Sequence, residues 1–224
     1  MTYQRYVVPV DKDTELEANV VTFGARTVTS YTLPYAKKWS VALLLGGGYM
    51  PAKNYDVLVN GAVGIEWSLV PVLKSNDRSF SVRYIVGPEY HNYKYRNIED
   101  KNSQWFIKHS IRAALMWHFK KIDIEAAAGA TSPLTDYKYA SLFGSVSLNW
   151  RVVGGLTIMP SISAGYTFKN MNEPLEIDYS NPVMTILGGG SFSKFSLQTM
   201  LTVRYVFGNA LLNVRDQRWK GVEF

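Results

Sequence analysis

Residues 105–119 read Trp-Phe-Ile-Lys-His-Ser-Ile-Arg-Ala-Ala-Leu-Met-Trp-His-Phe. The odd positions carry Trp105, Ile107, His109, Ile111, Ala113, Leu115, Trp117 and Phe119, and the even positions include Lys108, Ser110, Arg112 and His118. A two-residue period with one greasy and one polar face is the mark of a β-strand, and this run is much longer than the roughly five or six residues usual in soluble sheets. The same period recurs on both sides. Ala140, Leu142, Gly144, Val146, Leu148, Trp150 and Val152 alternate with Ser141, Ser145, Ser147, Asn149 and Arg151. Farther on, Phe195, Leu197, Leu201, Val203, Tyr205 and Phe207 alternate with Lys194, Gln198, Thr202 and Arg204.

Extended over the chain, the pattern predicts ten strands: Tyr3 to Val10, Glu15 to Leu33, Trp39 to Met50, Tyr55 to Val70, Ser79 to Tyr95, Trp105 to Phe119, Ile122 to Leu134, Tyr139 to Val152, Leu156 to Lys169 and Ser191 to Phe207. The expected fold is all-β, an antiparallel up-and-down transmembrane β-barrel of about ten strands, with eight or twelve as alternatives. Alternation slips near Asn19 and Val20, as a bulge would make it do.

Composition narrows the class. The 224 residues suit one domain, and no apolar run approaches the roughly 20 residues that a membrane-crossing helix needs. Mean hydropathy is −0.08. Cysteine is absent, which removes thiol chemistry and Cys-based metal sites. The net charge of +6 is scattered along the chain, whereas a nucleic-acid surface would concentrate Lys and Arg, so no nucleic-acid partner is expected. An exported barrel is made with a signal peptide, so a leader is expected to have preceded these residues, with Met1 expected as a product of processing.

The connections alternate in length. Pro34 to Lys38, Pro71 to Arg78, Lys120-Lys121 and Val153 to Gly155 are shorter than Arg96 to Gln104 and Met171 to Gly190. Outer-membrane barrels have short periplasmic turns and long outer loops, so the first set is expected on the periplasmic side. With that orientation the outward aromatics should fall at two heights. Trp39, Trp67, Trp117, Trp150, Tyr205 and Phe207 come to the periplasmic level, and Tyr49, Tyr55, Trp105 and Tyr166 to the outer one. Trp105 and Trp117 are twelve residues apart. That is about 40 Å along a strand, or roughly 30 Å across a membrane at a tilt near 40°.

The other face carries both signs of charge: Arg26, Asp56, Glu66, Arg83, Glu89, Lys108, Arg112, Asp123, Glu125, Arg151, Lys194 and Arg204. In a narrow barrel these groups should meet across the lumen as hydrogen-bonded networks that plug it, because unpaired burial is costly. Glu66 and Arg83 are expected at similar depth, with Glu66 neutralising a basic cluster completed by Arg151 and Arg204. His91, His109 and His118 show no metal-ligand spacing, and no cofactor is expected. His109 falls on the lipid face, where a local register shift would turn it inward. His118 and Asp123 approach each other across a tight turn as a hydrolytic dyad would, but no serine nucleophile accompanies them. Gly46 to Gly48 and Gly188 to Gly190 lack the following helix and Lys of a phosphate loop, and are expected as kinks or hinges.

From Tyr137 to Leu156 the chain runs Tyr-Lys-Tyr-Ala-Ser-Leu-Phe-Gly-Ser-Val-Ser-Leu-Asn-Trp-Arg-Val-Val-Gly-Gly-Leu. This resembles the YdiY-like group of bacterial outer-membrane β-barrels, which often read Ser-Lys-Tyr, then Leu-Phe-Gly-Ser-Leu, then Gly-Leu. Tyr90 to Tyr95 and Tyr205-Val206-Phe207-Gly208-Asn209 extend the likeness, which covers roughly Val21 to Phe207. Ala210 to Phe224 departs from the group's usual ending and keeps only Asn213-Val214-Arg215. The strand and loop reading gives a barrel over 1–209 and a periplasmic tail over 210–224; the resemblance implies the barrel fold and an outer-membrane location, and it supplies no activity. The leading expectation is a non-enzymatic anchor or interaction platform with a plugged lumen. Its partners are lipid, lipopolysaccharide and a periplasmic or outer-membrane protein that docks on Met171 to Gly190 or on the tail. A narrow small-solute pore comes second and an outer-membrane hydrolase third.

Overall fold

The computed structural model describes residues 2–11, 14–70, 78–153, 155–176 and 193–205. Ten strands follow one another: β1 (Thr2–Asp11), β2 (Thr14–Thr32), β3 (Trp39–Met50), β4 (Tyr55–Ser68), β5 (Arg78–Tyr93), β6 (Ser103–His118), β7 (Ile122–Pro133), β8 (Ser141–Val153), β9 (Leu156–Thr167) and β10 (Phe195–Tyr205). Spatial order equals chain order and every ladder is antiparallel, so the protein is an all-β up-and-down meander. These are the ten strands that the alternation predicts, with ends displaced by local chemistry. β8 begins at Ser141 because Tyr137–Tyr139 forms a 3-10 turn, capped where Lys138 N donates to Asp136 Oδ1 at 3.1 Å.

The expected bulge at Asn19 and Val20 is not there, since both keep regular partners in Arg5 and Gln4. Instead β2 changes neighbour. Its residues up to Thr22 pair with β1, and from Phe23 onward it pairs with β3. Alternation slips because a strand that passes from one neighbour to another also passes between surroundings and need not keep one apolar face. β2–β10 therefore form the body of the sheet, with β1 on the part of β2 that runs past the end of β3. Among the described residues no ladder joins β10 back to β1 or β2.

The two faces differ sharply in exposure. Leu44 is 1% exposed and packs with Ala42, Ala62 and Ile85, whereas Leu43, Leu45 and Val63 next to them point to the open side. Among the described residues no helix is long and apolar enough to cross a membrane, and the helical turns are too short to cover a sheet face. The buried face is thus covered by the sheet curling over itself. Asn172, just past β9, confirms the curl by donating to the Tyr55 hydroxyl at the start of β4, five strands away in the sheet.

Prolines interrupt the ladder without breaking a strand. Pro88 has no N–H to give, and the β4–β5 pairing skips from Asn60–Glu89 to Val63–Val86 around it. The backbones close up there, so that a Cβ on Gly87 would come well inside 3.0 Å of Gly61 O and Ala62 Cα. At the β8–β9 turn a register shift between Arg151 and Val153 absorbs one residue, and Gly155 takes φ 94°, which glycine adopts freely.

Candidate functional site

The polar inner face is ordered into rows by the register. One row runs Ser40, Glu66, Arg83, Arg112, Gly129, Phe143 across β3 to β8. Glu66 and Arg83 are directly opposite each other, and Arg83 donates from Nε at 2.9 Å and from Nη2 at 2.7 Å, both to Glu66 Oε2. The two are 2% and 5% exposed, so this is a buried charge pair. Arg112 faces Arg83 across the next ladder, a like-charge neighbour that would be repulsive alone. Its guanidinium lies 5.9 Å from the centre of the Phe143 ring. That ring crosses Gly129, where an added Cβ would sit 2.5 Å from Phe143 Cζ.

A second cluster sits at the short-turn end. Arg151 Nη2 donates to Asp123 Oδ2 at 2.9 Å, and His118 Nδ1 lies 3.0 Å from Asp123 Oδ1. The dyad expected across the Lys120-Lys121 turn is therefore part of a three-residue cluster, in which Arg151 is hydrogen-bonded to Oδ2 and the His118 ring lies beside Oδ1.

The third cluster lies toward the loops. Glu89 holds Lys108 Nζ at 3.3 Å and His91 Nε2 at 2.5 Å. His91 is enclosed by the rings of Tyr55, Tyr93 and Phe106. Tyr55 corrects the expected aromatic level: it is 8% exposed and faces inward. The cause is a register shift between Tyr55 and Val57, which reverses parity for the first residue of β4.

Above this cluster the loops are tied together by buried asparagines. Asn54, in the left-handed region at φ 65°, donates from Nδ2 to Tyr95 O and to Asn172 O, both at 2.9 Å, and accepts from Tyr95 N at 2.8 Å. Asn97 Oδ1 accepts from Glu99 N at 3.1 Å and Lys101 N at 2.9 Å, and Asn97 bridges to Pro174. Glu99 accepts the Tyr139 hydroxyl and an ion pair from Lys101 at 2.9 Å, tying the β7–β8 loop to the β5–β6 loop. The Tyr139 hydrogen bond, then Lys101, hold the Glu99 carboxyl below its ordinary range, while burial and the Glu99 carboxylate push the Tyr139 phenol up to about 12.

Compared with protein-family models, with curated proteins and with solved structures, the chain matches none of them. The site is therefore described by its own geometry.

Of the residues expected inside, Glu66, Arg83, Glu89, Lys108, Asp123 and Arg151 enter the ion pairs above, and Arg112 and Glu125 line the same face. Arg26 and Arg204 do not join them. They lie on β2 and β10, the strands left without a second neighbour in the body of the sheet, where the side chains are exposed.

On the outer face Trp39, Trp105, Trp117, Trp150, Tyr166 and Tyr205 are exposed, and Tyr49 and Trp67 half-buried. Rings pair at both ends, as in Tyr90–Trp105 at 4.8 Å and Trp117–Phe119 at 5.1 Å. His109 stays on this face, since the β5–β6 ladder is unbroken from Arg78–Trp117 to Asn92–Ser103. Its Nδ1 lies 3.4 Å from the Tyr84 hydroxyl and its ring meets Tyr84 and Tyr137, so no register shift is needed to accommodate it. Phe207, Gly188 to Gly190 and residues 210–224 lie outside the described residues.

The loop cap is what sequence reasoning missed. A signal for part of it exists, because Glu89, His91 and Tyr93 share the parity of inward Arg83. Asn54 and Asn97 carry no signal that separates them from ordinary turn asparagines. Among the described residues no three His, Asp or Glu side chains are grouped to hold a metal ion.

Proposed function

We propose that the protein is a non-enzymatic outer-membrane β-barrel whose interior is plugged by charge, serving as a membrane anchor or interaction platform. The observation that carries this reading is the inverted polarity of the curled sheet. Its covered face holds the buried Glu66–Arg83 pair and the Glu89 and Asp123 clusters, while its open face presents Leu43, Val63, Ile111, Leu115 and Val146 with aromatic rings toward both ends. A water-soluble sheet would bury the apolar face and expose the charged one. A face of this kind suits hydrocarbon, and the rings suit the two interfaces with water and lipid headgroups, including lipopolysaccharide.

The hydrogen-bonded loop cap favours a plug over a channel. It also bears on docking, because Leu175 N donates to Arg96 O at 2.9 Å, so the start of the Met171 to Gly190 loop is engaged with the protein's own rim. A partner would then use the remainder of that loop or the tail. The narrow-pore reading draws support from a polar cavity on the inner face.

Fractionation of envelopes, followed by detergent gels with and without boiling, tests the reading. A closed barrel in the outer membrane shifts in mobility on heating, and a plugged one gives no steady conductance in planar bilayers. Absence from the outer-membrane fraction would refute the location. Steady ion conductance would refute the plug and favour the pore.

A further inference from the structure

Exposed charge is divided unequally between the two ends of the sheet. At the short-turn end the exposed charged side chains are all cations among the described residues: Lys37 and Lys38 in the β2–β3 turn, Arg78 at the start of β5, Lys120 and Lys121 in the β6–β7 turn, Arg151 on β8 and Arg204 on β10. The acids nearest to them, Glu66, Asp123 and Glu125, belong to the inner face, where Glu66 is paired with Arg83 and Asp123 with Arg151. Cations are as frequent at the loop end, but acids stand among them. There Arg96 is paired with Asp100, Lys101 with Glu99 and Lys138 with Asp136, and Asp56, Glu173 and Glu176 add further negative charge.

The cations of the short-turn end also alternate with rings. Lys38 precedes Trp39, Lys120 follows Phe119, Arg151 follows Trp150 and Arg204 precedes Tyr205, and all four rings are exposed. Arg78 stands directly opposite Trp117 in the β5–β6 ladder and so shares the outer face with it. Adjacent strands are about 4.8 Å apart, so cationic strand ends one or two strands from each other lie within about 10 Å, the Debye length at about 0.1 M salt, and their fields add.

We propose that this edge of the sheet binds the headgroups of anionic glycerophospholipids, with the phosphodiester oxygens on the lysines and arginines and the acyl chains against the rings beside them. This rests on the membrane reading above and names the partner of one of its two interfaces. Arginine in particular gives charge-assisted hydrogen bonds to phosphate oxygens. A zwitterionic headgroup offers the same phosphate, but its ammonium is repelled by the summed positive field, so the net charge of the lipid decides. The distribution of the cations favours lipid over an acidic protein. A compact protein would need a patch on one side, whereas here the charges follow the edge from β3 to β10, each close to an outward ring, as suits many small amphiphiles lying side by side.

The test uses the full chain inserted into vesicles of equal parts phosphatidylcholine and phosphatidylglycerol, in which the acyl chains of one lipid or the other are brominated to quench tryptophan. Wild type is compared with Trp105→Phe, in which the described tryptophans that remain, Trp39, Trp67, Trp117 and Trp150, all lie at the short-turn end. Quenching should show phosphatidylglycerol preferred by roughly threefold or more, and the preference should vanish at about 1 M salt, where the Debye length is about 3 Å. Replacing Lys37, Lys38, Lys120 and Lys121 together by Gln should bring the preference close to parity. The matched loop-end variant, with Lys53, Lys94, Lys169 and Lys194 replaced by Gln, should keep it. Equal quenching by the two lipids in wild type overturns the proposal and leaves the edge to an acidic protein, and an equal loss in the loop-end variant overturns it as well. Quenching by neither lipid is a different failure, because the protein then does not enter the bilayer and the membrane reading falls together with its lipid partner.

Discussion

Removing the charge on Glu66 is the sharpest test of the interior. Glu66 and Arg83 are 2% and 5% exposed, and both hydrogen bonds of the pair end on one oxygen, Glu66 Oε2. Glu66→Gln keeps an oxygen near that position and removes the charge, leaving Arg83 in the interior beside Arg112, the like charge directly opposite. Breaking one partner of a buried pair costs about 3 to 5 kcal/mol, against roughly 0 to 1 kcal/mol for a solvated pair. The internal control is Arg96–Asp100, a 3.0 Å pair whose side chains are 62% and 58% exposed. The assay is equilibrium urea unfolding from bilayers, followed by tryptophan fluorescence, on wild type, Glu66→Gln, Asp100→Asn and the double variant Glu66→Leu/Arg83→Met. Glu66→Gln should lose about 3 to 5 kcal/mol and Asp100→Asn less than about 1 kcal/mol. The double variant should recover most of the loss, because an apolar pair of similar volume is often as stable as a buried ion pair. A loss below about 1 kcal/mol in Glu66→Gln would show that water reaches the pair, and the plugged interior would have to be abandoned.

Four further outcomes follow from the geometry. Arg in place of Ile111, Leu115, Val146 or Leu201 on the exposed apolar face should cost about 2 to 4 kcal/mol in bilayers, whereas Ser145→Asn on the inner face should be mild; equal sensitivity would show that the two faces are misassigned. Gly87→Ala drives a Cβ into the β4 backbone and should destabilise by about 1 to 3 kcal/mol in the same melt, with Gly61→Ala, whose Cβ meets only a Leu45 methyl at 3.4 Å, nearly neutral. Asn54→Ala strands the partners of three hydrogen bonds at a left-handed φ and should raise amide exchange at Tyr95 and in Asn97 to Lys101 at least tenfold; Asn54→Gly relieves the φ strain but not the lost bonds and should recover only part of that effect. Because the folded Glu99 carboxyl sits below its ordinary 4.5, its contacts contribute fully above that value and are lost as pH falls through the lower, folded one. Amide exchange in the cap should therefore be steady from pH 7 down to about 5 and accelerate only below about 4, after correction for intrinsic exchange; loosening near pH 6 would point to a histidine instead.

The strands were legible in the sequence because period two is a local property, carried by residues such as Ile111, Leu115 and Arg112 that each sit on one side of one strand. Their pairing was legible for a similar reason. A meander with short turns has few ways to order its strands, and the two-residue Lys120-Lys121 turn alone sets His118 opposite Asp123. Glu66 and Arg83 could be put at one depth from strand ends, but their direct opposition depends on the β4–β5 register, which the intervening residues 69–77 do not encode as a tight turn would. Tyr55 was misplaced because one irregularity, between Tyr55 and Val57, inverts parity, and nothing in Tyr-Asp-Val announces it. The cap was out of reach for a different reason. Asn54 and Asn172 are 118 positions apart, and their meeting is a consequence of curling, which no local pattern records.

Curling also gives the inner charges a purpose that stability alone does not supply. A buried ion pair is a poor source of stability compared with a hydrophobic pair of the same volume. On the proposed reading, however, the outer face meets hydrocarbon, and an apolar interior would leave the two faces alike. Strands such as β6 and β7 could then slip by one residue and exchange faces at little cost, since Ala113, Ala114, Ala126, Ala127 and Ala128 fill both sides of their central stretch. Arg83, Arg112 and Glu125 remove that freedom. A one-residue slip would turn each toward lipid, at about 2 to 4 kcal/mol for an arginine near the midplane and less for a glutamate. Several such penalties in adjacent strands exceed what most mutations or thermal fluctuations supply, so the charges fix which face is which. This predicts where the sheet tolerates neutralisation. Replacing both members of the Glu66–Arg83 pair leaves Arg112, Glu125 and the Asp123 cluster to hold parity, and the sheet should keep one register. Neutralising Arg83, Arg112, Glu66 and Glu125 together should preserve strand content by circular dichroism while cysteines placed at Ser145 and Val146 become equally accessible to a water-borne thiol reagent. If Ser145 and Val146 stay distinct in that quadruple variant, packing alone sets the register and the charges serve only the cavity between them.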